Sequence, residues 1–457
     1  MSRFTVQGQR VVVVGGSRSG IAASRLLAAR GARVILTDLK ASLPEQASLA
    51  AAGIGLELGG HREATLAQAD LVVVSPGVPP DQPAVRAARA AGVPVVGEVE
   101  LASRWLRGRI IAVTGTKGKS TTTTLIGRML AAGGVRAIVG GNIGEPLASQ
   151  VDGADAATVH VVEVSSFQLE TIVSFRPWIA LVLNFSPDHL DRHASVGEYA
   201  TAKARIFENQ TPDDWAVVNA DDAPAIALAR DARSRRRWFA MDTPIERGVA
   251  ISGGHIVART AGGERPLVAV SDVGLVGRHL LGDVVAAAAV ADLAGTAPEA
   301  MAAAVRGFRG LEHALEIVGE VAGVRFVNDS KATNIASARR SIESFEGSVV
   351  PIMGGRYKGG DFRDLREVVA GRVSAVVAIG ESRPLIRGAL ADLVPVLEAG
   401  SMADAVGLAH EAAGAGGTVV LAPACSSFDM FNDYAERGRV FKEEVGRLAA
   451  TRQAGGR

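Results

Sequence analysis

Short apolar runs, each ending in a glycine-rich or polar turn and followed by apolar residues at helical spacing, recur along the whole of this chain. The run Val11 to Val14 leads through Gly15 and Gly16 into a segment with Ile21, Leu26 and Leu27, and the next run ends at Asp38. ADLVVVSPGVPP (69–80) and VPVVGEVELA repeat the scheme, as do RIIAVT, HVVEV, WIALVLN and WAVVN in the middle of the chain. VRFVN, VVPIM, AVVAI and TVVLA do so again towards the end. Apolar runs bounded by turns predict buried strands, and the spacing after each turn predicts helices packed against them. The expected fold class is α/β, with parallel sheets whose polar turns gather at the carboxyl ends of the strands. VAISGGHIVAR predicts a hairpin across Gly253 and Gly254, and an Ala-rich helix is expected from His279 to Leu293.

At 457 residues the chain exceeds one ordinary domain, and at roughly 100 to 200 residues per domain about three are expected. The pattern divides into a Rossmann-like N-terminal domain (1–105), a central P-loop domain with a parallel sheet (106–311) and a Rossmann-like C-terminal domain (312–457). Four apolar strands are predicted in the last of these. Against the dinucleotide fingerprint, Gly15 and Gly20 fit but Ser17 takes the middle position, which disfavours a nicotinamide-linked oxidoreductase.

Charge narrows the partners. Lys plus Arg number 49 against 48 Asp plus Glu, so no overall field favours nucleic acid or a membrane, and anion binding must be local. The Arg233, Arg235, Arg236 and Arg237 cluster reads as a solvated loop. A single cysteine, Cys425, excludes an intramolecular disulfide framework, and no apolar stretch approaches membrane-spanning length. A cytoplasmic protein is expected.

The chemistry centres on TGTKGKSTT (114–122). A strand breaks into Gly115, Thr116, Lys117 and Gly118, and Lys119, Ser120 and Thr121 open a helix. Such a loop holds phosphate through backbone N–H groups and the positive end of the helix, with the lysine on the outer phosphates and the hydroxyl on Mg²⁺. The usual pattern places a glycine where this chain has Val113, so the loop is a variant. Beyond neighbouring strands come Asn142, then Glu163 with Gln168, then Asp188, His189, Asp191 and His193. Glu163 and His189 are candidates to share a magnesium ion, or are a cap and a surface group. Lys203, among apolar and small residues on a helix, reads from spacing alone as a lysine reaching for solvent.

With these motifs in place the chain resembles the Mur ligases of peptidoglycan synthesis, in the branch that adds glutamate. The resemblance spans VVVVGGSRSG, SPGVPP, TGTKGKSTT, GGNIGEP, EVSSFQLE, LNFSPDHLDRH, YATAKARIF, GLEH, NDSKATN, GGRYKGGDF, PACSSFDMF and the final RG-x-x-F. The phosphate loop alone would admit folylpolyglutamate synthases, whereas SSFQLE, DHLDRH, NDSKATN and PACSSFDMF are far more specific. Within this family the variant loop is the normal form.

The resemblance implies ATP-dependent addition of D-glutamate to UDP-N-acetylmuramoyl-L-alanine through an acyl phosphate, by a monomer. It implies that Gly115 to Thr121, with Asp329 and Lys331, bind ATP, and that Lys119, His189 and Lys203 are catalytic. Ser120, Glu163, His189 and Lys203, the last as a carbamate formed with CO₂, would hold two Mg²⁺ ions. Ser17, Arg18, Asp38, Gly77, Asn142 and Gln168 correspond to UDP-sugar contacts, and Thr333, Lys358, Ser427, Phe428 and Tyr434 to the glutamate pocket. Three positions depart from the family pattern: Leu280 and Asp283 replace asparagines, and Ala314 replaces an arginine. Handedness of the glutamate is not legible in these residues, which leaves L-glutamate addition as one alternative, and Leu280 and Ala314 motivate a second, a non-catalytic sugar-nucleotide binder that has lost ATP turnover.

Overall fold

A computed structural model of the chain describes residues 4–189, 192–275 and 277–455. Strands β1 (Arg10–Val14), β2 (Arg33–Asp38), β3 (Gly55–Leu58), β4 (Leu71–Val74) and β5 (Val95–Gly97) form a wholly parallel sheet in the order β3-β2-β1-β4-β5. Four consecutive valines suit β1 because it is central and covered on both faces, so Val11 to Val14 have no solvent contact. Winding reverses between β1 and β4, which places the Gly15 turn beside the Ser75-Pro76-Gly77 turn. Gly20 allows the Arg18–Ala29 helix to pack closely there, since a Cβ on it would lie 1.8 Å from the Gly15 carbonyl oxygen.

A second sheet holds β6 (Arg109–Thr114), β7 (Ala137–Gly141), β8 (Val159–Glu163), β9 (Ile179–Val182), β10 (Trp215–Asn219), β11 (Arg235–Phe239), β12 (Gly248–Ser252), β13 (His255–Thr260) and β14 (Gly263–Ala269). Its order is β14-β13-β12-β11-β10-β9-β6-β8-β7, antiparallel only at the β12/β13 and β13/β14 pairs. The hairpin across Gly253 and Gly254 is present, extended by β14. The arginine cluster is not a loop: Arg235 to Arg237 open β11, where Trp238 and Phe239 supply the apolar anchor. Arg237 is held by Asp292, which also pairs with Arg265, so charge that reads as solvated is partly neutralised within the fold.

Helices packed on the first sheet share one core cluster with the second sheet, in which Leu26, Val99 and Ala102 join Ile110, Ala112, Leu147 and Phe175. Residues 1–273 and 282–307 accordingly form one compact unit. The Glu98–Ser103 helix fastens it. Glu100, fully buried, accepts from the backbone N–H groups of Val173 (2.9 Å), Ser174 (2.9 Å) and Phe175 (2.8 Å), from the Ser174 hydroxyl (2.6 Å) and from Arg104 (2.9 Å). Burial alone would raise its pKa, but these donors outweigh it and hold the carboxyl below its ordinary value.

Residues 274–281 and 308–457 form the other compact unit. Its sheet is β15 (Glu316–Val321), β16 (Val324–Asn328), β17 (Val349–Gly354), β18 (Val376–Ile379), β19 (Val396–Ala399) and β20 (Thr418–Leu421), in the order β15-β16-β20-β17-β18-β19. All pairs are parallel except β15/β16. Four of the six strands are those the apolar runs predict. The additional two, EIVGEV and VLEA, are edge strands whose exposed faces dilute the apolar signal. Among the described residues no helix is long and apolar enough to cross a membrane.

Glu98 contrasts with its neighbour. It accepts one backbone N–H, from Ala148 at 2.5 Å, its Oε2 has no partner, and burial pushes its pKa up from 4.5 to about 7. A raised folded-state pKa makes its contribution to stability full below about pH 4.5 and lost as the pH climbs through about 7. Glu98→Gln, which mimics the protonated acid, is expected to be more stable than wild type at pH 8 by on the order of 3 kcal/mol and equal to it at pH 4. Thermal unfolding at both pH values checks this; equal wild-type and variant midpoints at pH 8 would exclude the assignment.

Candidate active site

The site is built on the carboxyl ends of β6, β8 and β9, which are adjacent in the second sheet. After β6 the chain turns through Gly115 and Gly118 into the Lys119–Ala132 helix. Gly118 caps that helix at φ 81°, a left-handed conformation open to glycine, and a Cβ there would lie 2.1 Å from Asp283 Oδ1. The loop is clamped from β9's end by Asn184. Its Oδ1 accepts from the N–H groups of Thr116 (3.1 Å) and Lys117 (2.9 Å), and its Nδ2 donates to the Lys117 carbonyl (3.1 Å). Thr116 Oγ1 donates to the Ser186 carbonyl and accepts from the Ser186 N–H, each at 3.0 Å.

Two lysines converge on this loop. Lys119 Nζ donates to the carbonyls of Gly115 and Thr116 at 3.0 Å, and Lys203 Nζ donates to the Gly115 carbonyl at 2.8 Å and to Thr114 Oγ1 at 3.3 Å. Lys203 does not reach solvent, contrary to the reading from spacing: it is 1% exposed, with its ammonium 4.8 Å from the Tyr199 ring centroid. The Val196–Ala204 helix turns that face inward because Tyr199 and Ala202 are buried beside it. Burial first, and the Lys119 charge second, bring its pKa down from 10.5 to about 7. A lysine that is substantially a neutral amine near pH 7 is a nucleophile.

Glu163, at the end of β8 and 2% exposed, accepts from Ser120 Oγ at 2.7 Å and from Asn142 Nδ2 at 2.8 Å. A buried carboxylate against a hydroxyl on a phosphate loop is a set of hard oxygen donors that suits Mg²⁺. Among the described residues no group of three or more His, Cys, Asp or Glu is arranged to hold a metal. His189 is exposed in a left-handed conformation (φ 55°), with its ring 5.1 Å from that of Phe167. Asp188 pairs with Lys117 at 3.2 Å; Asp191 lies outside the described residues.

The other expected residues are placed as follows. Ser17 caps the Arg18–Ala29 helix without a side-chain bond, and Arg18 donates to the Gly144 carbonyl at 3.0 Å. Asp38 accepts from the N–H of Gly16 (2.5 Å) and of Lys40 (2.8 Å), Gly77 faces open space, and Gln168 completes a capping box with Ser165. In the second unit, Asp329 is bonded by Ser341, and burial raises its pKa to about 6. Lys331 and Lys358 are exposed, Thr333 is half-buried, Ser427 is buried, and Phe428 and Tyr434 are exposed. Leu280 is buried, and burial pushes the carboxyl of Asp283 well above its ordinary pKa. Sequence reasoning gave no role to Asn184, Tyr199 or Arg192. Asn184 had one detectable signal, as the first polar residue after an apolar run.

The chain was compared with known proteins. Family models match it as a MurD-like N-terminal domain over residues 9–97, a Mur ligase middle domain over 113–291 and a Mur ligase glutamate ligase domain over 315–425. It is 46% identical to the UDP-N-acetylmuramoylalanine–D-glutamate ligase of Acidobacterium capsulatum, over 96% of each chain. The chain belongs to the Mur ligase family. The ligases of the same name from Koribacter versatilis (44% identical, 97% of this chain and 98% of that one) and Pelotomaculum thermopropionicum (46%, 96% and 97%) agree. Among solved structures, the UDP-N-acetylmuramate-alanine ligase MurC of Thermotoga maritima is similar in fold, with a TM-score of 0.59 at 20% identity, covering 96% of this chain and 99% of that one.

Gly118 offers a direct test of the phosphate loop. Gly118→Ala is expected to lower affinity for Mg·ADP by at least about tenfold, because both the left-handed φ and the Asp283 contact oppose a side chain. Gly134→Ala, also at positive φ (80°) but in open space, should leave that affinity unchanged. Calorimetric titration of both variants distinguishes loop geometry from general strain.

Proposed function

We propose that this Mur ligase is the ATP-dependent enzyme that adds D-glutamate to UDP-N-acetylmuramoyl-L-alanine in peptidoglycan precursor synthesis, acting as a monomer in the cytoplasm. The observation that carries the reading is the 44–46% identity, over nearly the whole chain, to three ligases of that name. The geometry of the first unit supports it, because a phosphate loop, a buried carboxylate and a near-neutral lysine meet at adjacent strand ends.

The chemistry joins two anions, a substrate carboxylate and the γ-phosphate of ATP, to give an acyl phosphate. The glutamate amine then displaces phosphate, leaving an amide. Lys119 exchanges its loop carbonyls for the phosphates and neutralises charge as it develops. Ser120 and Glu163 would hold magnesium, with His189 as a further ligand, and the metal would supply electrostatic stabilisation of the phosphates. Lys203, as the free amine, adds to the carbon of CO₂ and loses one proton, so a cation becomes an anionic carbamate beside those ions. Asp329 and Lys331 serve the nucleotide, Ser17, Arg18, Asp38, Gly77, Asn142 and Gln168 the UDP-sugar, and Thr333, Lys358, Ser427, Phe428 and Tyr434 the glutamate. Residues 1–105, 106–311 and 312–457 then form three domains that chiefly serve sugar nucleotide, ATP and amino acid, with Asn142 and Gln168 of the second also serving the sugar nucleotide and Asp329 and Lys331 of the third also serving ATP.

Phosphate release from ATP in the presence of UDP-N-acetylmuramoyl-L-alanine tests the reading. Release is expected with D-glutamate and not with L-glutamate. Release with L-glutamate alone would move the assignment to a paralogue, and none with either would leave a sugar-nucleotide binding protein. Lys203→Ala is expected to lose at least about 100-fold in rate, with partial recovery in added formate or acetate, which restores a carboxylate where the carbamate stood. Full activity of the variant without added acid would exclude the carbamate.

A further inference from the structure

Among the described residues near His189, one side chain reaches the turn that follows β4 of the N-terminal sheet. Arg192, mostly buried, donates from Nη2 to the Val78 carbonyl at 2.8 Å and from Nη1 to the Pro76 carbonyl at 3.4 Å. Its guanidinium lies 4.5 Å over the Phe167 ring. These carbonyls flank Gly77, in the turn that follows β4, so Arg192 reads the position of that turn directly. On its other side the backbone of the same residue fixes His189: the N–H groups of Arg192 and His193 both donate to the His189 carbonyl at 3.0 Å.

His193, the next residue, is held by the helix that bears Gln168, whose Phe167 it shares with Arg192 and whose flanking Glu170 also faces both residues. The His193 ring is gripped between the Ser166 hydroxyl, 3.0 Å from Nε2, and Glu170, 3.2 Å from Nδ1. Arg192 therefore joins the Pro76 to Val78 backbone on one side to the His189 carbonyl on the other. Beside the guanidinium is a cavity of about 250 Å³, walled by Val78, Pro79, Phe167 and Gln168. Its seam position, between the Gly77 turn and the helix that bears Gln168, is where a ligand of the first sheet would press on Val78. The Nε of Arg192 keeps no partner, so the side chain has a donor in reserve for such a rearrangement.

We propose that Arg192 is a positioning residue that couples occupation of the Gly77 turn by the sugar nucleotide to the placement of His189, and hence to binding of the magnesium nucleotide at the phosphate loop. The inference rests on the functional reading above. It requires an arginine, because two carbonyls and a ring face are engaged at once by a planar fork that a lysine ammonium cannot reproduce. Coupling of this kind is reciprocal and is measured as a ratio of affinities.

The test titrates the full-length chain with Mg·ADP by calorimetry, with and without saturating UDP-N-acetylmuramoyl-L-alanine. In the wild type the sugar nucleotide is expected to change the Mg·ADP dissociation constant by at least about fivefold. Arg192→Met should bring that ratio to within about twofold of unity while each ligand alone binds nearly as before, and Arg192→Lys should fall between. Arg192→Met retaining the wild-type ratio would overturn the proposal. So would wild type binding both ligands with no coupling, or Arg192→Met losing both affinities alike along with a lowered melting temperature, which marks a purely structural role. Wild type binding neither ligand would instead remove the functional reading itself.

Discussion

The site depends on a single electrostatic conflict, the meeting of two lysines at the Gly115 carbonyl. Lys119 belongs to the loop and Lys203 to a helix far along the chain, yet both donate to this one oxygen. Two ammonium ions this close in an interior setting repel strongly, and the side with less solvent gives way. Lys203 is that side, and its neutral fraction is the direct consequence of burial and of its neighbour. The packing that creates the conflict is ordinary: Tyr199 and Ala202 need a core, and the helix that buries them carries Lys203 inward with them.

The conflict persists only because the surrounding frame does not yield. Asn184 holds the loop by its backbone from β9, and Glu163 holds Ser120 from β8, so both strands flanking β6 grip the turn. The first sheet is fastened to this frame by Glu100, whose oxygens accept from three consecutive backbone N–H groups, that of the buried Phe175 among them. Glu98, two residues away on the same helix, has one donor, and burial pushes its pKa up to about 7. The number of donors, and not depth of burial alone, decides which of the two carboxyls is charged.

Much of this architecture was legible in the pattern of apolar runs, because a strand buried on both faces has no choice but to be apolar throughout. The runs at Val11, Ile110 and Val349 each became central strands. Edge strands such as Val396–Ala399 were not legible, since one side of an edge answers to solvent. Arg235 to Arg237 misled for a related reason. Their charge is compatible with a strand once Asp292 is brought alongside, and that neighbour is 55 residues away from Arg237. At the site, the loop and Glu163 could be read from local order, whereas the burial of Lys203 could not, because helical spacing defines a face without saying what lies against it.

Asp283 shows how a substitution that looks disruptive in sequence is accommodated. A carboxylate near a triphosphate loop would repel the ligand, and the resemblance places an asparagine there. In the fold this carboxyl sits 5% exposed against Gly118, with Oδ2 unpartnered, and burial raises its pKa well above the ordinary value while the Thr122 hydroxyl only partly opposes this. Burial therefore favours the uncharged acid over the carboxylate, and that form would offer one acceptor and one donor much as an amide does. Asparagine and a protonated aspartate differ little at such a position. The charge that the sequence adds is opposed by the burial that the fold imposes.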